Sequence, residues 1–114
     1  MTYKIVSVPK PRMTQRDKWA KRPAVVRYRA FCDEVRALGV NVKESGSEVV
    51  FVIPMPKSWS KKKKAEMIDE PHQQRPDLDN LLKALLDAIY DEDCTVWNIK
   101  ASKIWGETGP IEIL

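Results

Sequence analysis

Asp77-Leu78-Asp79-Asn80-Leu81-Leu82-Lys83-Ala84-Leu85-Leu86-Asp87-Ala88-Ile89-Tyr90 is the stretch whose reading decides the fold. Leu78, Leu81, Leu82, Leu85, Leu86 and Ile89 recur three or four residues apart, which places them on one helical face. That apolar arc is wide enough to pack against a sheet. Pro76 disfavours helix at Arg75, so the helix starts at residue 77 or 79 and runs to about residue 90.

Working outward, an acidic turn, Asp91-Glu92-Asp93, follows the helix and leads into a strand-like stretch over residues 95–105. Ile111-Glu112-Ile113-Leu114 reads as a final edge strand. Upstream, Val49-Val50-Phe51-Val52-Ile53 forms the centre of a buried strand over residues 48–53, closed by Pro54. Ser58-Trp59-Ser60 is placed to cap a short helix through Lys61-Lys62-Lys63-Lys64 to Ile68. Pro23 suits a first helical turn, Val25, Tyr28, Cys32, Val35 and Leu38 follow at helical spacing, and Gly39 is a fitting stop. Residues 3–8 alternate apolar and polar and read as a first strand. The order β-α-β-(α)-α-β-β predicts an α/β fold: one domain over residues 1–114, with a single-layer mixed sheet and helices packed on it.

The 114 residues carry a formal net charge of +4, and that small figure conceals an asymmetry. Residues 1–64 hold 16 basic and five acidic side chains, a balance of +11; residues 65–114 hold four basic and 11 acidic, a balance of −7. The first portion is suited to phosphates. The second has another role. The longest unbroken apolar run is far short of the about 20 residues of a membrane span, so no membrane association is expected. The N-terminus lacks the apolar segment of a secretory signal, and Cys32 and Cys94 have no metal-ligand spacing. A reducing cytoplasm is the expected location.

Asp79, Lys83 and Asp87 share one helical face beside the leucine arc, and Asp77 stands where loop becomes helix. Clustered carboxylates repel one another unless a cation neutralises them, and oxygen ligands suit a hard divalent ion such as Mg²⁺ or Mn²⁺. The chemistry that follows is phosphodiester hydrolysis, with a lysine such as Lys83 balancing charge on the phosphate. A second reading uses the same residues as helix caps and surface i,i+4 ion pairs. Spacing alone leaves both open. An EF-hand loop is excluded, because its sixth and twelfth places are Leu82 and Ala88 instead of Gly and Glu.

Arg75-Pro76-Asp77-Leu78-Asp79-Asn80-Leu81-x-Lys83, then Leu86-Asp87-Ala88 and an acidic turn before a strand, resembles the signature of the RusA family. The basic N-terminal loop, Pro54-Met55-Pro56-Lys57-Ser58-Trp59-Ser60 and the lysine string resemble its prophage members. The resemblance implies a homodimeric, Mg²⁺-dependent endodeoxyribonuclease that resolves Holliday junctions, with Mn²⁺ as a substitute ion. By position it implies catalytic Asp77, Asp79, Lys83 and Asp93, with Asp77, Asp79 and Asp93 as metal ligands. The family often has adjacent aspartates at the third position; here Asp91 is a possible substitute ligand and Glu92 a supporting group.

Branched DNA, above all a four-way junction, is then the expected partner, gripped by Lys10, Arg12, Arg16, Lys18, Lys61, Lys62, Lys63, Lys64 and Arg75. A flap or fork nuclease and a non-catalytic nucleic-acid-binding module are the alternatives. Among the remaining residues, Trp97 is expected in the core beside Ile99, and Trp19 and Trp59 at a DNA or dimer surface. His72 is expected to be a simple loop residue, and Cys32 a small core residue.

Overall fold

The computed structural model describes residues 1–11 and 22–114, so Arg12, Arg16, Lys18 and Trp19 lie outside the described residues. Its elements are β1 (Thr2–Tyr3), α1 (Pro23–Ala37), β2 (Ser45–Pro54), α2 (Lys61–Met67), α3 (Leu78–Ile89), β3 (Asn98–Gly106) and β4 (Ile111–Ile113). A single 3₁₀ turn, Asp93–Thr95, joins α3 to β3. The strands form one mixed sheet in the order β1-β4-β2-β3. The β2–β3 pair is parallel, while β4 pairs antiparallel with both β1 and β2. The expected α/β layer is therefore present in the expected element order.

Helix α1 begins at Pro23 and ends where Gly39 takes a φ of +64°, a conformation with little cost for glycine. Its buried residues are Val25, Tyr28, Phe31, Cys32 and Val35; Leu38, at the helix end, is exposed. Ser60 caps α2 by accepting a bond from the Lys63 N–H at 3.1 Å. In α3, Leu81, Ala84, Leu85, Leu86 and Ala88 are buried, joining α1 residues and Val49, Phe51 and Ile111 of the sheet in one core. Arg36 of α1 donates from Nε to the Ala88 carbonyl at 3.1 Å. That bond satisfies one of the acceptors orphaned at the end of α3.

Three expectations about strands need correction. The first strand stops at Tyr3, not Val8: the Ile5 N–H bonds back to the Tyr3 carbonyl at 2.8 Å and bends the chain out of the sheet. Short β4 offers β1 only two register partners, Glu112 and Ile111, although Ile5 itself still reaches the core. The last strand is no edge, since β4 lies between β1 and β2. Trp97 is 76% exposed instead of buried, because β3 begins one residue later and α3, its covering helix, ends at Ile89.

The outer edge of β3 is covered by the chain leading to α3. Asp69 N–H bonds to the Trp105 carbonyl, Trp105 N–H to Glu70, and His72 N–H to Lys103, all at 2.9–3.0 Å. This pairing brings residues 69–72 alongside β3 and delivers the next residues to the start of α3. Phe51, at the centre of β2, is the largest fully buried side chain among the described residues. Phe51→Ala should cost about 3–5 kcal/mol of folding free energy, read as a lower urea midpoint at unchanged m-value.

Candidate active site at the carboxyl end of the parallel strands

A helix connecting two parallel strands runs back against them, so its first turn lies at their carboxyl ends. That edge is where open α/β sheets commonly bind ligands. Here the loop over residues 74–77 and the first turn of α3 lie level with Lys103, in the carboxyl-terminal half of β3. Lys103 of β3 donates from Nζ to the carbonyls of Gln74 and Pro76, each at 2.7 Å. From the other side, Lys10 N–H reaches the Asn80 carbonyl at 3.3 Å. Between these supports lies an open cleft of about 540 Å³, lined by Pro9, Lys10, Arg75, Pro76, Asp77 and Asn80.

Asp77 holds the N-cap position of α3 with extended backbone, φ −69° and ψ 143°, yet its side chain makes no capping bond. Its main-chain carbonyl accepts the Leu81 N–H at 3.2 Å, so the backbone starts the helix while the exposed carboxylate faces the cleft. Asp79 is exposed in the first turn, and its Oδ1 accepts the Asn80 N–H at 3.0 Å. The capping reading thus describes one oxygen of Asp79 and nothing of the Asp77 carboxylate. Farther along α3, Lys83 Nζ is 3.8 Å from Asp87, and Lys10 also pairs with Asp87. The expected shared face of Asp79, Lys83 and Asp87 exists, with Lys10 drawn onto it from the N-terminal segment.

The acidic turn is held at the other end of α3. The Tyr90 hydroxyl donates to the Val42 carbonyl, and Trp97 N–H donates to the Glu44 carbonyl at 3.0 Å. Residues 91–96 are therefore tethered on both sides to residues 42–44, near the amino end of β2. Twelve helical residues separate that end from Asp77, about 18 Å of axial rise. Within one chain, then, Asp77 and Asp79 start α3 while the backbone of Asp91, Glu92 and Asp93 follows its far end. The Asp93 side chain lies outside the description, and among the described residues no three His, Cys, Asp or Glu side chains converge as a metal-binding group. Asp77 at the cleft and exposed Asp79 two residues on still suit a hard ion: both are carboxylate oxygen donors open to solvent, and the cleft has room for water and phosphate.

Of the basic residues expected on DNA, Lys10 and Arg75 line this cleft, whereas Lys61, Lys62, Lys63 and Lys64 lie on α2. Trp59 is partly withdrawn into packing: its ring lies 4.8 Å from Trp105, with Lys63 Nζ 4.4 Å above it. His72 also differs from expectation, being 5% exposed and 4.3 Å from the Trp105 ring. Sequence reading passed over Lys103, although a signal existed. Counting by twos along β3, it shares a face with Ile99 and Ala101, which pack on the core, and with buried Trp105. A lysine in that series needs acceptors.

Burial, reinforced by the nearby Lys103 charge, lowers the pKa of His72 below its ordinary 6.5. The unfolded chain therefore binds the proton first as pH falls, and stability is lost between 6.5 and the lower folded value. Melting temperature should decline on acidification from pH 7 through this window, and His72→Gln should flatten that part of the profile.

A family model described as Endodeoxyribonuclease RusA matches residues 3–114. No curated protein and no solved structure gives a significant match. Among the described residues, no helix is long and apolar enough to cross a membrane.

Proposed function

This chain belongs to the RusA family of endodeoxyribonucleases, and from that premise we propose that it resolves Holliday junctions as a metal-dependent homodimer in DNA recombination and repair. The observation that carries the reading is the Asp77 carboxylate, released from capping and facing a cleft whose walls include Lys10 and Arg75. Basic side chains beside a carboxylate allow a phosphodiester to approach a site that would otherwise repel it.

In this proposal Asp77 and Asp79 hold Mg²⁺, or Mn²⁺ in its place. Bound there, such an ion would supply Lewis-acid activation of water and charge stabilisation of the leaving oxygen. Lys83, on the same helical face as Asp79, neutralises charge developing on the phosphate, and Asp87 restrains its ammonium from 3.8 Å. Lys10 and Arg75 position the strand by its phosphates, and Lys61 to Lys64 meet a junction arm. The far-end position of the acidic turn gives the dimer a specific task. We assign the third ligand, Asp93 or its substitute Asp91, to the partner subunit, because a two-fold dimer with opposed α3 helices would bring the partner's acidic turn towards the start of this chain's α3. Two such sites on opposite strands suit the near two-fold symmetry of a four-way junction.

The test is a strand-nicking assay on a synthetic mobile junction, with Mg²⁺ or Mn²⁺ and an EDTA control. Asp79→Asn should lower cleavage by at least about 100-fold while junction binding is retained or tightened, because a negative charge is removed. Undiminished cleavage by that variant would refute the assignment. Mixing Asp79→Asn protein with Asp93→Asn protein discriminates the dimer arrangement. A shared site leaves one intact centre in each mixed dimer, restoring about a quarter of wild-type nicking after random exchange. Sites built within single chains restore none.

A further inference from the structure

We infer that Lys103 is a positioning residue: its ammonium locks the loop over residues 74–77 so that Asp77 presents its carboxylate to the cleft. The inference rests on the reading of Asp77 as a metal-binding carboxylate. Lys103 lies on β3, paired in register with fully buried Phe51, so its backbone belongs to the firmest part of the sheet. From there Nζ donates to the Gln74 and Pro76 carbonyls, each at 2.7 Å, short for N–H···O bonds and assisted by charge. Pro76 is the residue immediately before Asp77. Lys103 also accepts the His72 N–H at its own carbonyl, at 3.0 Å. One strand residue therefore holds the segment at residues 72, 74 and 76.

The local chemistry explains why this anchor is needed. Arg75 and Asp77 are exposed, and the Asp77 side chain makes no bond to the helix it starts. Pro76 has no N–H, so it can be held only through its carbonyl or its ring. An ammonium has donors enough for both carbonyls and no acceptor to repel them. A neutral apolar side chain at position 103 would leave both carbonyls to water and free the loop to move by about an ångström. Displacements of that size at a reacting centre cost on the order of 100-fold in rate.

The experiment compares Lys103→Met, Lys103→Gln and Lys103→Arg with the wild-type protein in three measurements: hydrogen exchange of backbone amides over residues 74–80, junction affinity without activating metal, and nicking rate in Mg²⁺. Lys103→Met should speed exchange in that loop and leave the interior of α3 protected. Its junction affinity should stay within about threefold, because Lys103 makes no proposed phosphate contact. Its maximal nicking rate should fall by about 100-fold. Lys103→Arg, which can donate to both carbonyls, should restore loop protection and most of the rate; Lys103→Gln, with one amide NH₂, should fall between. Equal losses of exchange protection throughout the protein, or of binding and cleavage together, would make Lys103 a general stabiliser and overturn the inference. So would unchanged loop exchange or a nicking rate within threefold of wild type for Lys103→Met. If Lys103→Met does not fold, the Gln and Arg variants decide by the same criteria. A failure of the Asp77 reading is distinguishable: Asp77→Asn would then cleave normally, while the exchange measurement still reports on the Lys103 anchor.

Discussion

Parallel pairing of β2 with β3 is the constraint on which the rest of this structure depends. Two parallel neighbours cannot be joined by a hairpin, so the chain must cross over, and here the crossover contains both α2 and α3. The return helix has to run antiparallel to the strands. Its N-terminus, with Asp77 and Asp79, is thereby placed in the carboxyl-terminal half of β3, level with Lys103, and its C-terminus towards the amino ends of the strands. The location of the cleft follows from that direction alone. So does the separation between Asp77 and the acidic turn.

The same pairing explains how a small chain holds an exposed loop in register. Residues 69–72 lie along the free edge of β3 and satisfy its outward N–H and C=O groups through Asp69, Glu70 and His72. Edge protection and loop placement are one set of hydrogen bonds. Around that edge, Trp105, Trp59 and His72 form an aromatic cluster distinct from the core shared by α1, α3 and the sheet. Packing on Trp105 leaves Trp59 part-buried, with Lys63 over its ring. Trp97, beyond the reach of α3, takes the opposite course and stands in solvent.

Charge that is divided along the chain is brought together at the cleft. Lys10, from the basic portion, crosses to α3 and pairs with Asp87, while Arg75 is one of the few basic residues in the acidic portion and lines the cleft beside Asp77. The cleft is thus mixed in sign. A phosphodiester can enter it, and a divalent cation would not be competing with a wall of lysines.

Period and punctuation in the amino-acid order were enough to determine the elements: the leucine arc of α3, Pro23 and Gly39 at the ends of α1, Ser60 before α2, and the β-branched run of β2. They also marked Asp77, Asp79 and Lys83, because a loop-to-helix boundary and an i,i+4 spacing are local properties. What lies between distant segments was decided only by tertiary structure. No local pattern says that β4 inserts between β1 and β2, that β1 ends where its short partner ends, or that Trp97 falls outside the cover of a helix. Likewise, the Lys103 anchor joins residues 27 and 29 positions apart, and the distance from Asp77 to the acidic turn depends on a helix direction set by strand pairing. Sequence encodes such features through the global packing minimum, where each contact exists only because many others already do.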